Sequence, residues 1–249
     1  MTSNTSYRRT AILVASLWIL TAFGAIVGNA LLSPVVNAPD YLTTVFSKIA
    51  TVTGGMLLWL INDIGIVFIG VLMFPILKKQ SESMALGYVS MRIFESIFLI
   101  VGVIFAMMLI PLSQAFIAAG ATDVASFQAI GSVLKQAQHW FMDTMQLIPL
   151  GLGGIILTTM LYKTKLVPRF FSVFGIIGYA LLLPSAILTL LGVQNIAPGA
   201  PVAMMVIPVA IWEIILMPIW LYAKGFNTAG ITAKQGAISG KLEIQPTRS

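Results

Sequence analysis

The chain has no cysteine and a single histidine, His139. Disulfides, iron–sulfur clusters and thiol chemistry are thereby excluded, as is a haem held by two histidines of one chain. Charge is scarce as well: Asp, Glu, Lys and Arg make up 9% of the 249 residues, against about 25% in soluble domains. No GxSxG occurs, no serine has an assignable base, and no lysine falls deep enough in an apolar run to carry a retinal Schiff base. What remains is apolar. Mean hydropathy is +0.97, and several near-continuous runs reach the ~20 residues that a helix needs to cross a bilayer. A helix satisfies its own backbone groups where no water can, so the chain reads as an all-α integral membrane protein.

Six transmembrane helices are expected, at about 10–32, 56–77, 84–110, 136–162, 168–193 and 201–224. Ser33-Pro34 should end the first, and Gly54-Gly55 should bend the second away from an interfacial stretch capped by Asp40. Pro111 should end the third. Asp123 should then cap a short amphipathic helix over 124–135, with Phe127, Ile130 and Leu134 on one side. Pro149 and the glycines at 151, 153 and 154 should kink or loosen the fourth helix. Arg8-Arg9 and the apolar segment behind them have the look of a signal peptide, but that segment continues through Leu31-Leu32 and is read as a retained first helix. Residues 1–227 form one six-helix domain, and 228–249 a polar, flexible cytoplasmic tail.

The net charge of +6 does not point to nucleic acid, because the basic residues lie between the apolar runs. Six spans put both ends on one side. That side carries Arg8, Arg9, Lys78, Lys79, Lys163, Lys165, Arg169, Lys224, Lys234, Lys241 and Arg248, eleven of the 14 basic residues. The other side has Lys48 and Lys135, and Arg92 falls within the membrane. Positive residues accumulate on the cytoplasmic side, so both termini are expected to be cytoplasmic.

The chemistry is concentrated at Arg92 and Glu95. Three residues apart, they share one helix face, which Tyr88 joins from four residues before. A charged group within a spanning helix is costly unless it meets other polar groups, so partners are expected on other helices. Asp63 and Glu213 fall near mid-depth of their spans, whereas His139 and Asp143 lie nearer the outer face. Asn62, turned roughly 100° from Asp63 at 3.6 residues per turn, should bond a different helix. Four acids against one arginine cannot all stay ionised in a low-dielectric interior; they need protons, a bound cation or a hydrated cavity. Arg92–Glu95 reads either as a structural ion pair or as the floor of a pocket. His139 and Asp143, at i and i+4, have the spacing of two metal ligands, or of an interfacial pair beside Trp140 in an aromatic belt.

Several stretches resemble an uncharacterised bacterial family of multi-helix membrane proteins, the domain of unknown function 4386. The residues that carry the resemblance are Arg8-Arg9-Thr10-Ala11, ALGYVSMRIFE at 85–95, SFQAIG at 126–131, LYKTKLVPRFFSVFGIIGY at 161–179, and Glu213 with KGFN at 224–227. It covers roughly residues 8 to 227. The resemblance implies a small multi-pass protein of the bacterial inner membrane and supplies no activity. A metal role for His139 and Asp143 is not part of it.

The expectation is a membrane protein, leaning away from an enzyme, with a buried polar pocket for a small molecule, lipid head group or cation. It would serve transport or sensing. Arg92, Glu95, Asp63, Glu213 and Tyr88 would bind the ligand; no catalytic residue and no cofactor is assigned. The lipid bilayer is its surrounding partner, nucleic acid is not, and a transporter of this size is expected to work as a homo-oligomer. Two alternatives stand beside it: an intramembrane enzyme acting on a lipid-like substrate through Asp63, Glu95, Asp143 or Glu213, with or without His139 and a metal, and a structural or assembly protein with no ligand.

Overall fold

A computed structural model describes residues 2–192 and 204–227, with side chains from Tyr7 onward. Every regular element among the described residues is helical. In order they are α1 (Thr2–Val36), α2 (Tyr41–Ser47), α3 (Ile49–Leu77), α4 (Glu82–Ala118), α5 (Val124–His139), a π-helical turn (Trp140–Met145), α6 (Leu147–Thr164), α7 (Arg169–Leu190), α8 (Ile207–Ile211), a second π-turn (Trp212–Leu216) and α9 (Met217–Ala223). Five helices are long and apolar enough to cross a membrane, and Ile207–Ala223 forms a shorter apolar helical segment. The expected limits at Val193 and Pro201, and the polar tail 228–249, lie outside the described residues.

Several expected breaks fall elsewhere. Pro34 and Pro111 do not end their helices; α1 runs on to Val36 and α4 to Ala118. A proline forfeits one backbone bond, but unwinding in apolar surroundings would forfeit several. α4 stops instead where Gly120 and Ala121 take positive φ and return their N–H groups to Ile117 and Phe116 carbonyls. The helix after Asp40 breaks at Lys48 rather than at Gly54-Gly55. Neither Asp40 nor Asp123 caps a helix with its side chain; the Asp40 carboxylate accepts from the Thr44 hydroxyl at 2.7 Å. The segment 124–135 is not a separate helix, for α5, the π-turn and α6 run together from Val124 to Thr164.

The glycines do something other than bend. A Cβ on Gly24 would stand 2.6 Å from the Leu58 carbonyl oxygen, and one on Gly28 would stand 2.9 Å from that of Gly55. Their absence lets α1 and α3 touch backbone to backbone, as small residues do between membrane helices. Gly151, Gly153 and Gly154 likewise leave α6 continuous and seat it against Tyr179 on one side and Met91 on the other. The expected loosening is thus a close approach.

The two π-turns have a common cause. A proline ring presses on the carbonyl four residues earlier. Pro149 and Pro218 place that carbonyl at Met145 and Ile214, each inside a π-turn. The wider turn makes room for the ring, and it shifts the face on which the neighbouring residues emerge.

The bundle has two apolar cores. One joins Trp18, Met73, Tyr88, Leu157, Tyr179, Trp212 and Leu221; the other joins Leu32, Val45, Met56, Leu99, Val103, Leu109 and Met142. On α4 the first core ends at Tyr88 and the second begins at Leu99. Buried Arg92, Glu95 and Ser96 fill the gap. At one end of the bundle Arg8 donates to the Leu221 and Tyr222 carbonyls at 3.1 and 2.5 Å. Lys79 there bonds the Tyr7 hydroxyl, and the Asn227 N–H reaches the Leu166 carbonyl at 2.8 Å. The start of α1, the α3–α4 and α6–α7 junctions and the end of α9 therefore meet. The Lys135 ammonium lies over the Tyr41 ring, 4.6 Å from its centre, on the α2–α5 side.

Candidate functional site

Arg92 lies in the gap between the two cores, 2% exposed. Its position on α4 is set by helical spacing: Tyr88 is one turn before it and Glu95 one turn after. Its Nε donates to the Tyr88 hydroxyl at 3.2 Å, and Nη1 to both Glu95 carboxylate oxygens at 3.2 and 2.9 Å. The third nitrogen, Nη2, leaves the helix altogether and donates to Glu213 Oε1 at 2.7 Å. Tyr179 of α7 donates its hydroxyl to the same oxygen, also at 2.7 Å. Three elements far apart in sequence thus converge on one guanidinium. Glu213 can reach it because it stands on the second π-turn, whose neighbour Trp212 is pinned through an N–H bond to the Phe171 carbonyl at 2.7 Å.

Against this cluster lies a cavity of about 210 Å³. Arg92, Glu95 and Glu213 form its charged wall, Trp18 and Trp59 its aromatic wall, and Asn62, Gln146 and Thr21 add polar groups. At ~30 Å³ per water the space admits a ligand the size of about seven waters. The charges on its wall do not balance: two carboxylates face one guanidinium.

Asp63 and Tyr88 do not line this cavity. Tyr88 stands behind Arg92 and holds it. Asp63 is fully buried; its Oδ1 accepts from the Asn62 amide at 3.1 Å, and Ser96 donates to its backbone carbonyl at 2.9 Å. Its Oδ2 has no hydrogen-bond partner among the described residues. Asn62 bonds its sequence neighbour and not, as its direction on the helix suggested, another helix.

Residues 13–225 match the family described as a domain of unknown function, DUF4386. The chain belongs to DUF4386. No curated protein and no solved structure matches it. Membership agrees with a membrane protein made of apolar helices and assigns no activity, so the DUF4386 chain must be read through its own geometry.

His139 and Asp143 do pair, Nδ1 to Oδ2 at 2.9 Å, with side chains 38% and 51% exposed. No group of three His, Cys, Asp or Glu side chains that could hold a metal ion forms among the described residues. Tyr179 and Trp18 belong to the site region but do not stand out in the sequence, whereas Gln146 does, as the i+7 member of a polar stripe with His139 and Asp143. A signal for Tyr179 does exist. A Cβ on Gly154 would run into its ring, so the glycine-rich start of α6 marks where a large side chain from α7 is received.

Proposed function

We propose that this DUF4386 member is a six-span protein of the bacterial inner membrane with both termini in the cytoplasm, and that its cavity is a ligand pocket. The ligand is a small molecule, a lipid head group or a cation, and the protein transports or senses it. One observation carries the reading: Arg92 joins Glu95 and Glu213 from separate elements at the wall of a 210 Å³ cavity. A purely structural ion pair would need no space beside it. Buried charge is retained where it meets a polar path or ligand, and a mostly apolar cavity with a few convergent polar groups is the usual form of a small-molecule site. The six-span count is supported by Ile207–Ala223, a segment of 17 residues, apolar but for Glu213, that extends about 25 Å at helical rise. The orientation is supported by the basic residues at the end where Arg8, Lys79 and Leu166 meet.

Native mass spectrometry of the full chain in a mild detergent tests the pocket. A co-purifying molecule should be present in the natural protein and lost from Ala210→Leu, which fills the cavity without touching the ion pairs. A cooperatively folded natural protein that carries nothing, and that no added solute stabilises, returns the cluster to a structural role. A reporter fused after Ser249 should be cytoplasmic; a periplasmic one overturns the six-span count.

A further inference from the structure

Each of the three nitrogens of the Arg92 guanidinium donates to a protein oxygen; of its five N–H groups only one, on Nη2, has no acceptor among the described residues, which leaves little of it for an incoming anion. Glu213 is different. Its Oε1 takes both bonds, from Arg92 and Tyr179, while Oε2 accepts none from any described residue, and the side chain is 21% exposed. With Glu95 and Glu213 against Arg92, the wall holds two acids and one base. Asp63, buried behind Glu95, adds acid and no base. Two indoles, Trp18 and Trp59, also line the cavity, and their Nε1 atoms are buried with no hydrogen-bond partner among the described residues.

We propose that the cavity binds an ammonium-type cation, a primary or quaternary amine, held between the free oxygen of Glu213 and the rings of Trp18 and Trp59. This rests on the pocket reading above and assigns the charge of its ligand. Indole is the best aromatic partner for a cation, and quaternary ammonium groups are recognised by such walls. Excess acid in a partly desolvated site favours a compensating cation over an anion. Ile26 and Ile214, which line the cavity, are 58% and 37% exposed; beside such apolar surface in a membrane protein the ammonium group is either a lipid head group or a free amine.

The test is thermal melting of the full chain in detergent, titrated with tetramethylammonium chloride at constant ionic strength and, separately, with sodium methyl phosphate. Tetramethylammonium should raise Tm to a plateau, and methyl phosphate should not. Glu213→Gln should weaken the tetramethylammonium response roughly thirtyfold, the size of a lost desolvated charge contact. Ala210→Leu should do the same with Arg92, Glu95 and Glu213 intact, so the result stands even where Glu213→Gln folds poorly. In lipid nanodiscs, competition by phosphatidylethanolamine but not phosphatidylglycerol identifies the head group as the source; equal response in both identifies a free amine. Stabilisation by methyl phosphate alone, abolished by Ala210→Leu, overturns the cation and leaves the pocket standing. No response to either probe in a cooperatively melting protein overturns the cation, and an empty mass spectrum with it overturns the pocket.

Discussion

Arg92–Glu95 and His139–Asp143 are both acid–base pairs about one helical turn apart, closed at 2.9 Å. Their surroundings differ completely. The first pair is 2% and 5% exposed and reaches out to a third charge on another element; the second is 38% and 51% exposed and stays on its own helix. Helical spacing decides which side chains can meet within a helix. It does not decide what the pair meets beyond it. Burial does that, and with burial comes the energetic weight: a buried partner cannot be replaced by water, whereas an exposed one can.

The comparison breaks most sharply at Arg92. Arg92→Ala leaves Glu95 and Glu213 without their cation in the interior, and should cost about 3–5 kcal/mol of stability, read by denaturation of the detergent-solubilised protein. A loss below about 1 kcal/mol would mean that water already reaches the cluster as it reaches His139. Next comes Gly154→Ala, which touches no charge. Its methyl group would drive against the Tyr179 ring, at about 1–3 kcal/mol for an overpacked contact, and should displace the tyrosine from Glu213. Tyrosine fluorescence alongside the melt checks this.

The exposed pair should matter little. His139→Ala or Asp143→Asn should each change stability by less than about 1 kcal/mol; a larger loss would show that the pair anchors the adjoining π-turn. Smallest is Asp40, a further i, i+4 contact, exposed and outside the five candidate spans. The Thr44 hydroxyl donates to its carboxylate and holds its pKa below the ordinary 3.8. A lowered carboxylate pKa stabilises the fold above 3.8 and ceases to do so as pH falls through the folded value. Thr44→Val should therefore lower stability slightly above pH 3.8 and flatten its decline in acid, seen as a small Tm difference from the natural protein at pH 6 that narrows at pH 3.

The membrane class was legible because long apolar runs leave few alternatives. So was the shared face of Tyr88, Arg92 and Glu95, since all three lie within two turns of one helix. Their partners were less so. Asp63 and Glu213 look equivalent in sequence, each an acid near the middle of an apolar run, yet only Glu213 touches Arg92. The difference comes from a π-turn that spacing at 3.6 residues cannot represent, and from which faces of α3 and α4 pack together. Tyr179 is one of a few polar residues in an apolar helix, and its role depends on a glycine of another helix. The misplaced breaks share one cause. Proline and glycine end helices in water, where the freed groups find partners; in apolar surroundings the helix runs on past Pro34 and Pro111 and through the glycines of α6.

The location of Glu95 has a consequence for how the chain is made. α4 is synthesised and inserted long before Glu213, which lies 121 residues beyond Arg92. An unaccompanied arginine at the centre of an inserting helix costs about 2.5–3.5 kcal/mol. Glu95 travels on the same helix and reaches Nη1 without help from any other part of the chain, so Arg92 can enter the bilayer already paired. The later arrival of Glu213 with the second π-turn then completes the charged wall.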